Sequence, residues 1–198
     1  MTRIQQIQPE SAPGQTAELF SAVRGKLGMV PNMMRAIGNS PAALQAYLQF
    51  SGSLATGELS AKERELIALA VAQSNHCEYC LAAHSALGKM AGLTAEQIRD
   101  ARLGNAVDSK TEALVQFSQK LVRERGHVSD DDLSVLRRFG FEDAHIAEIV
   151  ANVGINIFTN YFNHVAETDI DFPQTESLEG DREVCAATSG CGCANSRS

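Results

Sequence analysis

The chain has 198 residues, enough for one domain with a core of its own. Hydrophobic residues make up 44% and the net charge is −7, which excludes a disordered composition and leaves no basic patch for a nucleic-acid backbone. No apolar run approaches a membrane span, and the start M-T-R-I-Q-Q-I-Q-P-E lacks the apolar stretch of a secretory leader, so a cytoplasmic protein with no membrane partner is expected.

Helix signals dominate, and strand alternation is nearly absent. Ser40-Pro41 reads as an N-cap and a first-turn proline, opening a helix that carries Leu44, Tyr47 and Leu48 and ends near Gly57. Ser60-x-x-Glu63 is a capping box for the next helix. That helix holds Leu66, Ile67, Leu69, Ala70 and Val71, apolar on most faces, and is expected at the centre of the fold. Asn75-x-x-Glu78 predicts a further cap, which places Cys77 in the first turn of a helix running to about Met90 and stopped at Gly92. Thr94-x-x-Gln97 and Ser109-x-x-Glu112 repeat the capping pattern, and Ser129 opens a short amphipathic segment. A long helix from about Asp143 to Val165 is predicted by Ile146, Ile149, Val150, Val153, Ile157 and Tyr161. After Phe172-Pro173 the composition turns polar and small. The reading is an all-α domain over residues 1–173 with a flexible cysteine-containing tail over 174–198.

The chemistry gathers between Glu65 and His84. Cys77-x-x-Cys80 pairs two thiols, His84 follows the second by one helical turn, and Glu65 lies on the preceding apolar helix. A thiolate is the attacking form of cysteine, and it needs a base or a positive field to form. A second thiol within reach turns an oxidised sulfur into a recyclable disulfide. A histidine takes a proton near neutral pH, and a carboxylate orients it. On a helix, Cys80 and His84 are i and i+4 and meet, so Cys80 is the cysteine nearer the base. The helix N-terminus, taken alone, favours Cys77. Structural zinc and two inert buried cysteines are the plainer alternatives.

Elsewhere, Asn152, Asn156, Asn160 and Asn163 form one polar stripe on the last helix, with His164 beside it. The stripe reads as a pocket wall or a subunit interface, with a solvent face as the simpler alternative. Met29, Met33 and Met34 cluster around Pro31, as core filler or an adaptable apolar pocket. In the tail, Cys185 stands apart from Cys191-Gly-Cys193. The latter pair is a weak candidate for a soft metal or metalloid, or for exchange with the Cys77–Cys80 disulfide.

Glu65, eleven residues, Cys77-x-x-Cys80, three residues and His84 together resemble the alkylhydroperoxidase D (AhpD) core of the carboxymuconolactone decarboxylase superfamily. The stretches Leu27 to Ala36, Ser40-Pro41 and Leu59 to Ala70 resemble its peroxidase-related branch, and the resemblance covers about residues 15–173. It implies an AhpD-like fold of about six to eight helices, assembled as a homo-oligomer, a trimer or hexamer. It implies a peroxiredoxin-type oxidoreductase that takes a peroxide as substrate and a thiol or protein disulfide reductant as electron donor, with no cofactor. Carried over, Cys80 is the peroxidatic thiol, Cys77 resolves it and donates a proton, His84 is the base and Glu65 relays protons. Tyr79 departs from the pattern, since the best-studied type has a histidine there. The decarboxylase branch usually lacks the cysteine pair, so lactone decarboxylation is not expected. Two other functions compete: a disulfide carrier with little peroxide turnover, and a soft-metal or metalloid-binding thiol protein.

Overall fold

The fold is that of a computed structural model, which describes residues 2–176 and 178. A 3-10 turn at Pro9–Ser11 precedes nine α-helices among the described residues: α1 (Gly14–Leu27), α2 (Asn32–Ile37), α3 (Pro41–Leu54), α4 (Ala61–Ser74), α5 (Glu78–Met90), α6 (Ala95–Leu103), α7 (Ser109–Arg123), α8 (Asp130–Arg138) and α9 (Asp143–Ala166). No strand occurs among them. The fold is therefore all-α, with more helices than the six to eight expected. The extra ones are α1 and α2. Neither has a side-chain cap, α1 follows Pro13 and starts on Gly14, and α2 spans only six residues. None of the described helices is long and apolar enough to cross a membrane.

Where the caps are strong, sequence and structure agree. Ser40 accepts the Ala43 N–H, and reciprocal capping boxes open α4 at Ser60/Glu63, α6 at Thr94/Gln97 and α8 at Ser129/Asp132. Two boundaries move. Helix α7 is capped by Asp108 rather than Ser109. The Asp108 carboxylate accepts the Thr111 N–H at 2.9 Å, and a negative charge there suits the helix dipole. Helix α3 stops at Leu54, short of Gly57, because the chain turns there onto α9. The Glu148 carboxylate accepts the backbone N–H groups of Glu58 and Leu59 at 2.9 and 3.0 Å. A side chain at 57 would run into that carboxylate, which accounts for glycine at this position.

Helix α4 is the hub. Every residue from Leu66 to Ala72 is buried, and α5, α6, α7 and α9 pack around it. Burying each Leu or Ile there contributes about 1.5–3 kcal/mol relative to exposure. One apolar cluster, with Phe20, Met33, Met34 and Leu44, also contains Cys77 and Cys80. A second surrounds Ile67, Leu114, Phe141 and Ile149, and a third joins Leu69 to Ile98 and Val115. Met33 and Met34 are thus core filler, while Met29 is 37% exposed.

After α9 the chain returns across α2 and α6. Asn32 Nδ2 donates to the Asp169 carbonyl at 3.0 Å, and its backbone N–H donates to Asp171 Oδ2 at 2.8 Å. Beyond residue 173, where the sequence places the start of the tail, Arg102 Nη1 still donates to the Glu176 carbonyl at 2.7 Å. Cys185, Cys191 and Cys193, with the readings placed on them, lie outside the described residues.

Candidate active site

The dithiol is placed by the link between α4 and α5. Helix α4 ends on Asn75, His76 adopts a left-handed φ of 54°, and Cys77 is extended, its N–H donating to the Ala72 carbonyl at 2.9 Å. This tight reversal turns α5 back against α4. It corrects the expectation that Cys77 lies inside the first turn of α5. Cys77 is the N-cap, and its Sγ accepts the Cys80 N–H at 3.3 Å, as a serine or aspartate oxygen would. Asn75 caps nothing ahead of α5. It closes α4, and its Nδ2 donates to Asn160 Oδ1 at 3.0 Å.

Cys77 and Cys80 are joined in a disulfide with their Cα atoms 5.3 Å apart. Both are buried, at 1% and 2% exposure. Cys80 Sγ also receives the Asn163 Nδ2–H of α9 at 3.3 Å. Each sulfur therefore has one N–H donor, the helix terminus serving Cys77 and a side-chain amide serving Cys80.

One turn after Cys80, His84 engages the glutamate read from the sequence. Its Nδ1 lies 2.8 Å from Glu65 Oε2, and both side chains are about one-fifth exposed. With Nδ1 donating to the carboxylate, Nε2 carries the lone pair of the neutral ring. Arg64, adjacent in sequence, turns away to the Leu59 carbonyl. The structure thus forms two pairs, Cys77 with Cys80 and His84 with Glu65, separated by the single turn of α5 between Cys80 and His84.

A cavity of about 190 Å³ opens on the relay side, lined by Glu65, His84, Tyr47, Arg64, Asn152 and Asn156 among others. It is smaller than the usual range of drug-sized pockets, roughly 300–1,000 Å³, and neither cysteine lines it. A larger cavity, about 260 Å³, between the start of α4 and the α6–α7 link, holds none of these residues.

Tyr47 lies on the helix the sequence predicts for it, but the sequence gives it no role at the site. Burial, with the Glu65 carboxylate adding to it, pushes its hydroxyl up to about 12, so it keeps its proton at neutral pH and can donate into the cavity. A tyrosine at helical spacing carries no signal that separates it from core filler, so only the cavity reveals it. Tyr79, inside the Cys-x-x-Cys, is turned away from the thiols. Its hydroxyl donates to Asp171 Oδ1 at 2.9 Å and accepts the Met33 N–H at 3.2 Å, and its ring meets Phe172 edge-on. Burial is the main cause of its raised pKa, with the Asp171 carboxylate acting in the same direction.

The asparagine stripe of α9 is not a solvent face. Asn152, Asn156, Asn160 and Asn163 are all buried, whereas His164 is exposed. Asn152 and Asn156 bond back to carbonyls one turn earlier and line the cavity. Asn160 accepts from Asn75 in the link between α4 and α5, and Asn163 reaches Cys80 itself.

Residues 41–121 match the model of the carboxymuconolactone decarboxylase family, a stretch that contains Glu65, Cys77, Cys80 and His84 but none of α9. An uncharacterized protein of Haemophilus influenzae is 52% identical over 46 residues. That stretch is 23% of this chain and 41% of the relative, so the match spans about two-fifths of the relative's length. Among solved structures, an uncharacterized peroxidase-related protein from Silicibacter sp. TM1040 aligns with a TM-score of 0.74 and 27% identity, over 85% of this chain and 94% of that one. The alkylhydroperoxidase AhpD core of an uncharacterized peroxidase-related protein from Ralstonia eutropha JMP134 shares the fold, with a TM-score of 0.77 at 24% identity over 86% and 92% of the two chains.

Proposed function

We propose that this chain, a member of the carboxymuconolactone decarboxylase superfamily with the AhpD-like fold, is a thiol-dependent peroxidase. The observation that carries the reading is the joining of Cys77 and Cys80 one helical turn from a histidine bonded to a carboxylate. That is the set of groups a two-cysteine peroxide cycle uses.

In the first step His84 takes the Cys80 proton, directly or through one water, while Glu65 stabilises the imidazolium. The Cys80 thiolate attacks the nearer oxygen of the peroxide. The O–O bond breaks, Cys80 becomes a sulfenic acid, and the alkoxide or hydroxide leaves with a proton as alcohol or water. Cys77 then attacks the Cys80 sulfur, forming the disulfide and releasing water. Two external thiols reduce the disulfide and leave as a disulfide of their own. One peroxide and two thiols thus give one alcohol (or water), one water and one disulfide.

Burial supports a small oxidant. A sulfur pair at 1% and 2% exposure is poorly placed to meet a large protein disulfide, which weakens the disulfide-carrier alternative. The soft-metal alternative rests on Cys191 and Cys193, outside the described residues. Peroxide consumption by the purified full chain with a small dithiol as reductant tests the proposal. Turnover in the unaltered chain and its loss in Cys80→Ser are expected; peroxide consumption that survives Cys80→Ser would overturn it.

A further inference from the structure

Asn163 approaches the sulfur on which the chemistry turns. It sits on α9, 83 residues from Cys80 in sequence and outside the family-matched stretch, and its Nδ2 lies 3.3 Å from Cys80 Sγ. The side chain is buried, at 4% exposure, and its other polar atom, Oδ1, is buried with no hydrogen-bond partner among the described residues. Asn160, one turn earlier and fully buried, likewise has no partner for its Nδ2 among the described residues, while its Oδ1 accepts from Asn75. An amide buried with half of its hydrogen-bonding capacity unmet costs stability, because the desolvated group has exchanged water for nothing. A leucine of the same shape would pack there without that cost. The fold keeps an amide against the sulfur, and this needs a reason beyond packing.

We infer that Asn163 is a further catalytic residue, whose Nδ2–H stabilises the Cys80 thiolate and so sets the reactivity of that thiol. A neutral thiol accepts a hydrogen bond weakly and a thiolate strongly, so an N–H aimed at sulfur favours the charged form. The helix-terminal N–H of Cys80 points to Cys77 Sγ, and His84, which takes the Cys80 proton, stands a full helical turn away with its Nδ1 on Glu65, so Asn163 is the side chain in direct contact with the sulfur. The other titratable groups on the elements around Cys80 do not take this role. The Tyr79 hydroxyl donates to Asp171, Asp171 also takes the Asn32 N–H, Tyr47 lines the cavity, which neither cysteine lines, and His76, Glu78 and His164 are exposed. Arg35 is held by the Ile7 carbonyl and Asn32, Arg64 by the Leu59 carbonyl, and Cys77 is the resolving partner itself.

This inference deepens the peroxidase reading, and its test separates the two. In the full chain carrying Cys77→Ser, the rate of Cys80 alkylation by iodoacetamide is followed against pH, with the Cys80 peptide resolved by mass spectrometry from the tail cysteines. Asn163→Leu, isosteric but without the donor, should move the alkylation midpoint up by about one pH unit, a tenfold loss of thiolate below both midpoints. Asn163→Asp, also isosteric, should move it further, because a carboxylate repels the thiolate, and it serves as the second variant if the first fails to fold. A purely structural role would depress the rate at every pH and leave the midpoint in place. A midpoint that is unchanged, or that falls because the amide oxygen rather than the nitrogen faces the sulfur, overturns the inference. Alkylation needs no peroxide. A shifted midpoint in a chain that consumes no peroxide would therefore sustain the role of Asn163 and sink the peroxidase.

Discussion

Glu65 and His84 define how the thiol is expected to titrate. The 2.8 Å bond between them fixes which ring nitrogen is free, so His84→Gln should remove the base and Glu65→Gln should leave it poorly oriented. We expect peroxide turnover to fall by about a hundred- to ten-thousand-fold in the first variant and by less in the second, with the pH optimum displaced in both. A pH–rate profile left in place by both variants would remove the relay. Tyr79→Phe tests the opposite case, a residue of the motif with a structural role. Losing the hydroxyl removes the partner of Asp171 Oδ1 and of the Met33 N–H, and thermal unfolding should show a loss of about 1–3 kcal/mol while turnover per folded molecule holds. A selective loss of turnover would return Tyr79 to the chemistry. The four candidate residues are legible in the sequence because cysteine and histidine are few in the chain and stand, with Glu65, at fixed local spacing. Asn163 is visible there as part of a stripe but not as a sulfur ligand. Its partner lies 83 residues away, and no local pattern encodes that contact.

At the scale of elements, legibility follows the caps. Helices α3, α4, α6 and α8 announce themselves through Ser or Thr at the N-cap, while α1 and α2 follow prolines without side-chain caps and carry no such signal. The shift of Cys77 from first turn to N-cap has a similar origin. Asn75 is the better cap on propensity, but it is drawn to Asn160 on α9, and the thiol takes its place. The packing of α8 on α7 gives a pH test. Lys120, with the backbone and hydroxyl of Ser129, holds the Asp132 carboxyl down to about 2, against about 3.9 in an unfolded chain. A depressed folded-state value stabilises fully above the unfolded one and is lost as pH falls from about 4 to about 2. Thermal midpoints of the unaltered chain and Asp132→Asn should therefore differ at pH 6 and converge towards pH 2. A constant gap down to pH 2 would contradict this.

At the scale of the whole molecule, the all-α architecture and the central α4 are legible because an apolar run without a polar face has one stable place, the middle. Assembly into a homo-oligomer is a proposal. Phe50 on α3 and Phe158, Tyr161 and Val165 on α9 are 43%, 42%, 57% and 62% exposed, apolar surface of the kind a second copy covers. Light scattering should report a mass above one chain, and Phe158→Asp with Tyr161→Asp should lower it; a monomer at micromolar concentration in the unaltered chain would dismiss the proposal. The peroxide cycle turns on which sulfur meets the oxidant. One equivalent of peroxide added to the full-length Cys77→Ser chain, followed by mass spectrometry, tests this most directly. A single oxygen atom gained at Cys80, in a form that a sulfenic-acid reagent captures, is the predicted result. Cys80 left unmodified while the peroxide disappears, or oxygen gained only at the tail cysteines, would contradict it.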